Sequence, residues 1–153
     1  MELEAALWSF RAPGGARLVR LRTGEEPARG ERGSYALVIE VSATTELAAG
    51  RLAPTTVAPG RYVYCGSALG GLRARLSRHL RSEKRRHWHV DYLLERGALI
   101  EVWIARSPER IECLLARQLA SYPEGRLAIA RFGSSDCGCQ GHLVKWDESL
   151  SHK

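Results

Sequence analysis

Two short pieces of this chain carry residues able to do chemistry: Gly33-Ser34-Tyr35, and Tyr64-Cys65-Gly66-Ser67-Ala68. The second leads into Leu72-Arg73-Ala74-Arg75-Leu76-Ser77-Arg78-His79-Leu80. A tyrosine beside an apolar run, a second such run closed by glycine, and then a very basic helix form a layout suited to handling phosphate. Arginine grips phosphate through a planar fork of N–H donors. A later carboxylate, Glu112, is a candidate to hold a metal ion.

The elements that must position these residues follow from periodicity. Tyr35-Ala36-Leu37-Val38-Ile39-Glu40-Val41 is a nearly continuous β-favouring run and predicts a strand buried on both faces. Residues 42–60 contain Gly50, Pro54, Pro59 and Gly60 and read as a long connection. Arg61 to Gly66 is a second strand, with Tyr62 and Tyr64 on one face. Residues 69–83 read as a helix with an apolar stripe of Leu69, Leu72, Leu76 and Leu80. Arg75 and His79 are four apart and share a side of that helix.

Residues 88–96 predict a shorter helix ended by Gly97, and Leu99 to Ala105 a third strand. Ser107-Pro108-Glu109 reads as a capped helix start, with the helix running to about Ser121 and burying Ile111, Leu114, Leu115 and Leu119. Leu143 to Trp146 is a closing strand. Ala16 to Leu21 is a short strand within an N-terminal extension, residues 1–32, that is otherwise hard to read. The expected architecture is an α/β (α+β) domain over residues 33–147, a small, mainly antiparallel sheet of three strands flanked by helices, with a tail at 148–153.

Composition narrows the partners. The chain has 153 residues and a net charge of +6, which favours an anionic partner. Of its 23 basic residues only Lys84, Lys145 and Lys153 are lysine; the rest are arginine. GC-rich codon usage also raises arginine, but it accounts less well for the seven Lys and Arg residues against one acid, Glu83, between positions 72 and 86. No apolar run approaches the ~18 residues that span a bilayer. The acidic start, Met1-Glu2-Leu3-Glu4, lacks the form of a signal peptide. The expectation is a cytoplasmic protein with no membrane partner, whose four cysteines are thiols.

In this order the residues resemble the GIY-YIG nuclease superfamily, and most closely its compact prokaryotic branch of Uri-type endonucleases. The resemblance covers roughly residues 33–147. It aligns the two triplets with Gly33-Ser34-Tyr35 and Tyr64-Cys65-Gly66, the helix arginine with Arg75, a histidine one turn later with His79, and the metal-binding glutamate with Glu112. The 28-residue gap between triplets is longer than in the commonest members. The family's late asparagine has no counterpart, because the chain contains no Asn; Ser134, Ser135 or Asp136 stand where a substitute would be sought.

The resemblance implies a metal-dependent DNA endonuclease. Glu112 would hold Mg or Mn, Arg75 would bind the phosphate, and Tyr35 or Tyr64 would orient or deprotonate water, with Arg75, the metal or His79 lowering the phenol pKa. Each residue also has a plain reading. The tyrosines suit sheet packing, Arg75 a solvated helix face, His79 a structural place, and Glu112 an exposed first turn favoured by the helix dipole.

Arg73, Arg78, Arg81, Lys84, Arg85 and Arg86 are candidates to track a nucleic-acid backbone, with Trp88 able to stack on a base. Cys137-x-Cys139-x-x-His142 admits zinc, completed by His87, His89 or Cys65, although the spacing is not the familiar C-x-x-C. A non-catalytic nucleic-acid-binding module and a zinc-stabilised interaction protein are therefore the alternative functions.

Overall fold

The computed structural model describes residues 1–49, 52–81, 89–133 and 139–149. A six-stranded antiparallel sheet divides the molecule, in the order β1 (Val19–Arg20), β6 (Ala98–Arg106), β2 (Gly33–Val41), β5 (Gly60–Ala68), β8 (Leu143–Trp146), β7 (Gly125–Leu127). The α+β class and the mainly antiparallel sheet match the expectation, but the sheet has twice the expected strands. The three long strands read from sequence form its centre. The additions are the short β1 and β8, read as strands but not counted into the sheet, and β7, whose three residues leave little pattern to read. The connection after β2 also holds a separate two-stranded ribbon, β3 (Thr45–Leu47) with β4 (Thr55–Val57).

The alternation of side chains sorts two cores. Ala36 and Val38 of β2, with Val63 and Cys65 of β5, face α1 (Leu3–Ser9) and α4 (Glu112–Ser121). Tyr35, Leu37 and Ile39, with Tyr62 and Tyr64, face α2 (Leu72–Leu80) and α3 (His89–Leu94). The N-terminal residues belong to the first of these cores: Leu3, Ala6, Leu7, Phe10 and Leu18 are all buried in it.

Three helix boundaries differ from expectation. α2 starts at Leu72 rather than 69, after Gly70-Gly71, and its first N–H bonds the Glu31 carbonyl at 2.8 Å. It stops at Leu80, which is exposed. α3 ends at Leu94, two residues before the expected end. α4 starts at Glu112, not at Pro108: Ser107 Oγ accepts the Glu109 N–H at 3.1 Å in a local turn, and the Ile111 N–H turns instead to Ser34 Oγ at 3.2 Å. That bond across the fold sets where the helix begins.

Candidate active site

β2 and β5 pair with Tyr35 opposite Gly66 and Ser34 opposite Ser67. The Tyr35 ring lies across Gly66, where an added Cβ would stand 2.5 Å from the ring. Gly33 is equally constrained, since a Cβ there would meet the Ala105 carbonyl oxygen at 2.2 Å. Both triplet glycines are thus dictated by close approach.

On the α2 face, Tyr35, Tyr64, Arg75 and His79 come together. The Tyr35 hydroxyl shares a 2.9 Å hydrogen bond with His79 Nε2, and the Tyr35 and Tyr64 rings lie 6.3 Å apart. Arg75 Nη1 donates to the Ser67 carbonyl at 2.9 Å, and its guanidinium also hydrogen-bonds Tyr35. Both phenols and His79 are buried, while Arg75 and Ser67 are half-buried. Behind His79, its Nδ1 faces Asp91 Oδ1 at 3.7 Å. Asp91 is fully buried and receives a bidentate grip from Arg78, at 3.0 and 2.9 Å.

Glu112 arrives from the other face of the sheet, on the first turn of α4. It is buried rather than exposed, at 4%. Its Oε2 accepts the Ser67 hydroxyl. Since that hydrogen points to Glu112, the 2.6 Å contact between Ser34 and Ser67 is a donation from Ser34, whose oxygen accepts the Ile111 N–H. The resulting chain runs from Ile111 through Ser34 and Ser67 to the carboxylate. Ser67 therefore binds Arg75 with its carbonyl and Glu112 with its hydroxyl. These two serines, and Asp91, were missed from sequence. Ser34 lies inside the first triplet and Ser67 just after the second, but nothing in a serine's local pattern marks it as a bridge.

Burial outweighs Arg75, which does lower both phenols. Burial pushes Tyr35 up to about 12; Arg75 lowers it, and Asp91 and Glu112 add to the rise. Tyr64 is also held well above its ordinary value, by burial and then by Tyr35, with Arg75 again opposing. Desolvation outweighs the guanidinium because a phenolate here would lose its water. Both phenols are neutral at neutral pH, and Tyr35 acts as a hydrogen-bonding group toward His79.

The basic residues of α2 separate into different environments. Arg73 is partly exposed and pairs with Glu26 at 2.8 Å; Arg81 caps the helix and is exposed; Arg78 is committed to Asp91. Lys84, Arg85, Arg86 and Trp88 lie outside the described residues, as do Ser134, Ser135, Asp136 and Cys137. Of the zinc candidates, Cys139 and His142 come together with Cys113, which sequence spacing did not include. His89 points elsewhere, its Nδ1 accepting the Gly133 N–H at 2.7 Å.

The profile of one family, Domain of unknown function DUF123, matches residues 34–153. The chain belongs to the DUF123 family. The matched span takes in both strand triplets from Ser34 onward, α2, Glu112 and the thiol–imidazole group, whereas α1 and β1 precede it. No curated protein and no solved structure matches the chain. Among the described residues no helix is long and apolar enough to cross a membrane.

Proposed function

We propose that this DUF123 domain is a divalent-metal-dependent endonuclease that hydrolyses phosphodiester bonds of DNA in the cytoplasm. The observation that carries this reading is the convergence at Ser67. Two phenols, a guanidinium and an imidazole lie on one side of that residue, and it hydrogen-bonds a buried carboxylate on the other.

The donor set fits a hard cation. Glu112 offers carboxylate oxygen with the Ser67 hydroxyl beside it, and an ion such as Mg or Mn needs only one or two carboxylates when water and substrate phosphate supply the rest. Bound there, such an ion supplies relief of phosphate charge and stabilises the departing 3′ oxygen.

The chain's own groups divide the remaining work. Arg75, anchored by the Ser67 carbonyl at the half-buried edge of the cluster, pairs with the phosphate. Tyr35 orients the attacking water. With its pKa at about 12 it is a poor base alone, so it passes its proton to His79 Nε2 as it takes one from water. The Asp91 carboxylate facing Nδ1 favours the imidazolium that forms. Tyr64 remains protonated and positions by hydrogen bonding.

The test is a panel of labelled DNA structures incubated with Mg²⁺ or Mn²⁺, with Glu112→Gln and Arg75→Ala beside the unmodified chain. Cleavage by the unmodified chain alone is expected. Cleavage that survives Glu112→Gln removes the mechanism, and DNA binding without cleavage by any form supports the non-catalytic module instead.

A further inference from the structure

Next to Glu112, Cys113 projects from the first turn of α4 toward the segment that leads into β8. Its Sγ lies 3.2 Å from His142 Nε2, and Cys139 Sγ completes a group whose ligand atoms all lie within 4.8 Å of one another. Ligand atoms on one tetrahedral zinc, with Zn–S of about 2.3 Å and Zn–N of about 2.0 Å, stand about 3.5–3.8 Å apart. The Cys113–His142 pair is already inside this spacing, and no pair needs to close by more than about 1 Å to share an ion.

Two further features suit a metal. His142 is buried with its Nε2 directed at Cys113 Sγ, so the ring presents a nitrogen to the pair of thiols. Imidazole nitrogen and cysteine sulfur are the donors of structural zinc sites. Moreover, Cys65, Cys113 and Cys139 are thiols rather than disulfide halves, and Cys113 and Cys139 are only partly buried, so an ion can reach them.

We propose that Cys113, Cys139 and His142 bind a zinc ion that clamps the segment before β8 to the start of α4. Sulfur and imidazole donors select a borderline-soft ion, and they disfavour Mg or Mn. The ion differs in kind and place from the one assigned to Glu112. The proposal stands independently of the nuclease reading, because Glu112→Gln leaves both thiols and the imidazole in place.

The experiment measures zinc in full-length protein purified from zinc-supplemented culture without chelator, and records the absorption spectrum after exchange with cobalt(II). About one zinc per chain is expected, falling below about a tenth in Cys113→Ser/Cys139→Ser. Glu112→Gln should keep its zinc whether or not the unmodified chain cleaves DNA. Cobalt(II) on the unmodified chain should give a thiolate charge-transfer band, a readout that holds even if the double variant misfolds. Absence of both zinc and that band overturns the proposal. So does a Cys113–Cys139 disulfide in freshly purified metal-free protein, or full zinc retention by a folded double variant.

Discussion

The ring of Tyr35 rests on Gly66, its direct partner across the β2–β5 ladder. The tyrosine of one triplet and the glycine of the other are two halves of one contact. The glycine creates the space in which the phenol reaches His79. Gly66→Ala places a methyl within the ring, and it should cost about 1–3 kcal/mol of stability, as overpacked cores do. Thermal or urea unfolding checks this. The Tyr35–His79 bond should be lost as well, so any cleavage activity falls further than the stability change alone accounts for.

Ser67→Ala tests the bridge. The Glu112 carboxylate would stay buried with one donor fewer, which costs about 1–3 kcal/mol when the group left behind is buried. The Arg75 bond to the Ser67 carbonyl does not need the hydroxyl and should persist. Metal-dependent cleavage is expected to fall at least about tenfold, as when an outer partner of a metal ligand is removed. Unchanged cleavage would mean that the hydroxyl does not orient Glu112.

Arg73→Ala and Arg78→Ala should part company. Arg73 is partly exposed and paired at the surface, so its loss should leave the melting temperature nearly unchanged. If α2 lies along DNA, the same change lowers the salt slope of binding by about one phosphate contact. Arg78 instead grips a fully buried carboxylate, and its removal should destabilise the fold by about 3–5 kcal/mol. Comparable salt slopes and comparable melting temperatures for the two variants would contradict this division.

Alkaline stability follows from the raised phenols and thiol. A group whose pKa is higher in the folded chain binds more protons there, so stability declines as pH rises past its unfolded value. For Tyr35 the loss should run from about pH 10 to about pH 12 and amount to at most about 3 kcal/mol. Cys65, raised by burial and then by Glu112, starts the decline earlier, near the ordinary thiol value. Denaturant melts of Tyr35→Phe should show a shallower fall between those pH values than the unmodified chain.

The central strands were legible because each is a long apolar run closed by glycine or charge. Leu143–Trp146 was legible too, as a β-favouring run after a glycine-rich loop. α1 was not: seven residues give too few turns for Leu3, Ala6 and Leu7 to stand out as a stripe, and only contact with Phe10 and Leu18 makes them core. The premature start read for α4 had a sound local signal in Ser107-Pro108, but a bond to Ser34, 77 residues away, decided the matter. Tyr35, Arg75, His79 and Glu112 could be named from their order along the chain. Asp91 could not, since its part depends on which helix packs behind His79. Cys113 could not either, being 26 and 29 positions from Cys139 and His142.

Tyr64, Cys65, Gly66 and Ser67 follow one another on β5 and look alternately to its two sides. Tyr64 adjoins the phenol–imidazole cluster, while Cys65, one step on, lies in the opposite core on the side of α4. This strand is a common beam for both candidate centres. A slip of a single residue in its pairing would exchange the sides of all four residues at once. Attempts to re-engineer either centre should therefore spare the β5 backbone and work from the helices, where α2 and α4 can be altered one at a time.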